Sequence, residues 1–92
     1  MIPTAEELDY YVRPFSEDSL TLQGEGTQLI ATRCLTVDTT TGKASEMDGY
    51  SNAKHTKAIA NKSYIHVYMP CTDRVSADVL HAMIRHAAEN YA

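Results

Sequence analysis

Tryptophan is absent from this chain and phenylalanine occurs once, so its core must come from Leu, Ile, Val, Met, Ala and part of its six Tyr. At 92 residues that supply supports one core, because single domains usually hold roughly 100–150 residues and smaller ones bury proportionally less surface. No second domain is expected within these residues, and residues 1–92 are read as a single α+β domain. With only two cysteines, Cys34 and Cys71, there is no disulfide framework; the reading is two free thiols, one or both buried. No apolar run approaches the ~20 residues needed to cross a bilayer, and Met1 to Glu7 lack the basic start and apolar stretch of an export signal. A cytoplasmic location is expected, without membrane contact.

Motifs of chemistry are missing as well. Gly24-Glu25-Gly26 is too short to cradle a phosphate and carries an acid where phosphate would approach, so it reads as a turn. Of the four histidines, His81 and His86 lie five apart, roughly 140° around a helix, which denies them the shared face that paired metal ligands need. No Cys-x-x-Cys accompanies them. Neither cysteine sits in an activating motif. The expectation is therefore no catalytic residue, no metal, no cofactor and no enzymatic activity.

What is present is unevenly charged. Net charge is −4, but Met1 to Thr32 holds six acids against Arg13 alone, whereas Gly49 to Cys71 holds Lys54, Lys57 and Lys62 and no acid. An acidic end and a basic patch follow, and the overall acidity argues against generic duplex binding.

Thr4-Ala5-Glu6-Glu7 has capping-box form and opens a short helix to about Val12, stopped by Arg13 before Pro14. Pro14 to Asp18 reads as loop, and Ser19 to Gln23 alternates like a strand. Thr27 to Val37 is the longest strand candidate, with Leu29, Ala31, Arg33, Leu35 and Val37 on the more apolar face. Arg33 interrupts that face, and a bulge is one way to reconcile the two sides. Asp38 to Gly42 has hairpin chemistry, with Gly42 free to take positive φ, so Lys43 to Met47 returns as a polar strand. Asp48-Gly49 reads as another turn, and Ser51 or Asn52 as the cap of a short helix through Ala60 with Asn61 as its stop.

The last thirty residues are the most legible. Ser63 to Met69 alternates, placing Ile65, Val67 and Met69 on one face and Tyr64, His66 and Tyr68 on the other. After Pro70 a helix capped by Asp73 or Ser76 presents Val75, Val79, Leu80, Met83, Ile84, Ala87, Ala88 and Tyr91 as an apolar stripe. The fold class is α+β: a small antiparallel sheet of three to four strands, a long C-terminal helix packed on one face and a short N-terminal helix.

If that helix covers Ile65, Val67 and Met69, the opposite face exposes two tyrosine rings flanking an imidazole. Joined to Lys54, Lys57 and Lys62, with His55 among them, Tyr64, His66 and Tyr68 form a candidate binding surface suited to single-stranded RNA or an anionic protein. An ordinary half-exposed strand also carries Tyr and His, and Tyr64 and Tyr68 have Tyr10 and Tyr11 as alternative packing partners. The acidic N-terminal third offers a second surface, a mimic of nucleic-acid phosphates.

This build, compact, acidic, single-domain and without motifs, resembles the small phage-encoded anti-CRISPR proteins. The likeness is of size and character along the whole chain, so no functional residue is carried over. It implies a phage-type inhibitor acting in the bacterial cytoplasm, one that blocks a protein or ribonucleoprotein complex by occupying its nucleic-acid-binding surface, with possible RNA contact. The alternatives are a small nucleic-acid-binding regulator and an accessory subunit of a phage or bacterial assembly.

Overall fold

Local hydrogen bonding sets the first element. The Thr4 hydroxyl accepts the Glu7 N–H at 3.2 Å and the Glu7 carboxylate accepts the Thr4 N–H at 3.1 Å, which starts α1, Ala5–Tyr11. These positions come from a computed structural model that describes residues 3–14 and 29–91. The readings for Phe15 to Asp18, Ser19 to Gln23 and Gly24-Glu25-Gly26 lie outside the described residues.

Ahead of Pro14 the chain becomes extended, as proline demands of its predecessor, and β1, Val12–Pro14, follows directly. The remaining strands are β2, Ile30–Asp38; β3, Ala44–Ser51; β4, Lys57–Ala60; and β5, Tyr64–Pro70; α2, Ala77–Asn90, closes the fold. Their order across the sheet is β1-β4-β5-β2-β3. Four strands pair antiparallel as expected, and β1 adds to the β4 edge in parallel.

At the β2–β3 hairpin Gly42 has φ +75°. There Asp38 accepts the Thr40 and Thr41 N–H groups through its side chain at 2.8 and 3.2 Å, and the Gly42 N–H through its carbonyl at 2.8 Å. The left-handed glycine is the turn residue the sequence called for.

Two readings are corrected. Asp48-Gly49 is not a turn but the interior of β3, paired with Arg33 and Thr32. The segment through Ala60 is not a helix: Lys57–Ala60 is a strand held between β1 and β5. Ala58, Ile59 and Ala60 are all buried there, and burial on both faces overrides the helix propensity of an alanine-rich segment. Nor is a bulge needed in β2, whose register runs unbroken from Thr32 to Val37 against both neighbours. Arg33 is accommodated because it lies near Asp48 across the β2–β3 ladder, 3.7 Å away with both side chains exposed.

The core lies on one side of the sheet. Val12, Ala58, Ala60, Ile65, Val67 and Leu35 meet Leu8 of α1 and Met83 and Ala87 of α2. Val79, Leu80, Ile84 and Tyr91 flank this cluster half-buried, whereas Ala88 is exposed, so the stripe is narrower than its spacing implies. Ser76, rather than Asp73, caps α2 by accepting the Val79 N–H at 3.3 Å. Asp73 instead accepts the Thr56 N–H and hydroxyl at 2.8 and 2.7 Å, tying the start of β4 to the β5–α2 connection. Those two bonds hold the Asp73 carboxyl below its ordinary range. At the far end of the helix Asp9 accepts the Tyr91 hydroxyl at 3.0 Å and meets His86 Nε2 at 2.7 Å, joining α1 to α2.

Candidate nucleic-acid interface on the sheet

Residues directly opposite in neighbouring strands share a face, so the sheet register decides which candidate residues meet. Tyr64, His66 and Tyr68 project from β5, with β4 on one side and β2 on the other. Tyr64 and His66 have ring centroids 5.6 Å apart and His66 and Tyr68 6.4 Å, each pair tilted. That spacing is close to the rise of two strand residues. Tyr64 is exposed, while His66 and Tyr68 are half-buried.

Each ring has a neighbour in the row across the strands, which for Tyr64 is Asp38 on β2. Lys57 is opposite Tyr68 on β4, Cys34 is opposite Tyr68 on β2, and Met47 is opposite Cys34 on β3. In the next row Ile59 and Thr36 flank His66. Thr36 Oγ1 lies 3.1 Å from His66 Nδ1, which fixes the imidazole against the sheet. Burial is the main cause that pushes the Tyr68 hydroxyl up, with the Cys34 sulfur beside it second. Burial also raises the Cys34 thiol, helped by the Asp48 carboxylate. Both groups stay neutral at pH 7 and present an uncharged, polarisable strip.

Of the six candidate residues, the ladder brings four together: Lys57, Tyr64, His66 and Tyr68. Lys54 and Lys62 are exposed at opposite ends of β4. Lys62 sits in the β4–β5 turn, where its carbonyl accepts the Thr39 hydroxyl at 3.3 Å. His55 leaves the group: it stacks on Tyr10 at 5.6 Å and meets Tyr11 edge-on at 5.6 Å. Tyr10 and Tyr11 thus pack with His55 and with each other, and not beneath Tyr64 or Tyr68.

Sequence reasoning missed the role of Cys34, Thr36 and Met47 beside the rings. Cys34 and Thr36 were legible as the second face of β2, but only the pairing register sets them against Tyr68 and His66. Both cysteines are free, Cys34 half-buried and Cys71 exposed in the turn after β5. Among the described residues no helix is long and apolar enough to cross a membrane, and no group of three or more His, Cys, Asp or Glu is placed to hold a metal.

Comparison with protein-family models, with curated proteins and with solved structures finds no match to this chain.

Proposed function

We propose that this domain is a non-enzymatic interaction protein whose Tyr64-His66-Tyr68 face engages a protein or ribonucleoprotein complex and contacts its RNA. By doing so it blocks a nucleic-acid-binding surface, in the manner of the anti-CRISPR inhibitors its build resembles. The observation that carries this reading is the row of three rings on one inner strand. Lys57 stands beside Tyr68, and Lys54 and Lys62 lie at the two ends of β4. Ring faces receive bases by stacking at ~1–3 kcal/mol each, and ammonium groups beside them follow the phosphates.

The ring ladder by itself also favours a second reading, a small nucleic-acid-binding regulator that takes free single strands. Titrating labelled single-stranded RNA and a guide-loaded CRISPR effector complex at two salt concentrations separates the two. The inhibitor captures the complex and binds little free RNA, whereas the regulator binds free RNA with steep salt dependence. Tyr64→Ala and Lys57→Glu should weaken capture while leaving the thermal midpoint within a degree or two. Capture at wild-type affinity by both folded variants would move the interface off this face.

A further inference from the structure

The outer edge of β3 is a second place where this molecule is built to receive something. Among the described residues no strand lies beyond it. The edge runs eight residues in unbroken register, Ala44 to Ser51, and contains no Pro, no Lys and no bulge. Pro, Lys and bulges ordinarily blunt a strand edge, and the charges this edge does carry are the acids Glu46 and Asp48, which discourage an acidic strand and favour a basic one. Met47 and Tyr50 project from its two faces, each 73% exposed.

Which backbone groups are open follows from the ladder. Asp38 donates its N–H to the Lys43 carbonyl at 2.9 Å, and in an antiparallel pair bonded and non-bonded positions alternate. The residues of β3 that bond inward to β2 are therefore Ser45, Met47, Gly49 and Ser51. On the other side of β2, the Thr39 N–H reaches the Ser63 carbonyl and the Cys71 N–H reaches the Ala31 carbonyl, both at 3.0 Å, which fixes the same alternation independently. The N–H and C=O groups of Ala44, Glu46, Asp48 and Tyr50 consequently face outward, ready for another strand.

Charge decides what that strand is. Glu46 and Asp48 share one face of β3, with Arg33 near Asp48 as the sole cation bridging to this strand among the described residues. A second copy pairing antiparallel about a two-fold axis would oppose Glu46 to Asp48 if centred on Met47. Centred on Glu46 or Asp48, it would oppose that acid to itself. Like charges directly opposite destabilise a strand pair, and the registers centred on Ser45 or Gly49, which avoid them, overlap a shorter stretch of β3 and give neither acid a cation. A strand with Lys or Arg at alternate positions meets both acids and turns its intervening side chains toward Met47.

We propose that the β3 edge is a β-augmentation site for an extended basic segment of a partner protein. Cationic residues on the Glu46/Asp48 side and an apolar residue beside Met47 would give the specificity, and the outward backbone groups the affinity. This edge borders the ring face at Met47, but the backbone pairing does not depend on the function assigned to that face.

The test uses the full chain and a blocked synthetic peptide that alternates lysine and valine. Amide hydrogen exchange should slow at Ala44, Glu46, Asp48 and Tyr50 when the peptide is added, while Ser45 and Met47, already bonded to β2, change little. A peptide N-methylated on its pairing side should bind about tenfold more weakly for each backbone bond it loses. Glu46→Pro removes an outward N–H together with the Glu46 carboxylate while leaving the bonds from β3 to β2 in place, so the fold persists and peptide binding is lost by more than in Glu46→Gln, which removes the charge alone. Should the proline variant melt well below wild type, Glu46→Lys with Asp48→Lys reads the charge requirement without touching the backbone. No binding by wild type, equal binding of the N-methylated peptide, or binding without the alternating protection overturns the proposal. So does a dimer in sedimentation that dissociates on Glu46→Pro, since the edge would then belong to a second copy.

Discussion

The two faces of β5 are made from alternate residues of one strand, yet they are governed by different physics. Ile65 and Val67 are 1% and 0% exposed and close the core with Leu35, Ala58, Ala60, Met83 and Ala87. One residue away, Tyr64 is 45% exposed, and His66 and Tyr68 lie half-buried against Thr36, Cys34 and Lys57. The helix side excludes water and tolerates little change in shape. The ring side supplies aromatic surface, flanked by Lys57 at the Tyr68 end and Asp38 at the Tyr64 end, that the fold uses only in part, which is why its residues are open to another role.

The largest expected effect comes from breaking the helix side. Ile65→Ala or Met83→Ala removes a fully buried side chain from a small core and should cost about 2–5 kcal/mol. Tyr64→Ala, on the ring side of the same strand, should stay within about 0.5 kcal/mol, as exposed substitutions usually do. Urea denaturation of the three variants decides the matter, and equal losses at positions 64 and 65 would remove the distinction between the faces.

That contrast was legible in sequence because Tyr-Ile-His-Val-Tyr-Met alternates without interruption and an amphipathic helix follows it. Where the same reasoning failed, the deciding contacts were remote in sequence. Lys57-Ala58-Ile59-Ala60 has the composition of a helix, and only its position between β1 and β5 makes it a strand. Val12 and Arg13 carry no strand signal of their own, being short and followed by proline, and become one by pairing with Ala58 and Ile59. Asp48-Gly49 has turn chemistry, but the cross-strand neighbours Arg33 and Thr32 keep it extended. For the interface, alternation placed Tyr64, His66 and Tyr68 on one face, while the position of Lys57 beside Tyr68 required the β4–β5 register. The departure of His55 toward Tyr10 depended on the path of the loop before β4.

A middle-sized effect should appear at the connection behind the helix side. Thr56 is buried, and the Asp73 carboxylate accepts both its N–H and its hydroxyl. Asp73→Ala strands these donors and should cost about 1–3 kcal/mol at neutral pH. The Asp73 pKa is lowered in the folded chain relative to about 3.9 when unfolded. Its contribution is therefore complete above the unfolded pKa and fades as pH falls through the folded one. Urea midpoints of wild type and Asp73→Asn should differ by a constant amount above about pH 5 and converge on acidification. A gap that widens in acid would mean that the carboxylate is not the form being held.

The smallest effect separates the two thiols and sharpens the account of the ring side. Cys34 is half-buried beside Tyr68, and its thiol is raised by burial and by the Asp48 carboxylate; Cys71 is exposed in the turn after β5. At pH 8 iodoacetamide should consume Cys71 well before Cys34, because the thiolate is the nucleophile and must also be reachable. Asp48→Asn removes the secondary cause of the shift and should speed Cys34 labelling modestly, by less than urea unfolding does. Mass spectrometry of partly alkylated protein reads both rates. A ligand stacked on Tyr68 would slow Cys34 further and leave Cys71 unchanged, making this thiol a reporter for the ring face. Labelling of Cys34 as fast as Cys71 in the folded protein would show that the Tyr68 end of the strip is open, contrary to the burial found there.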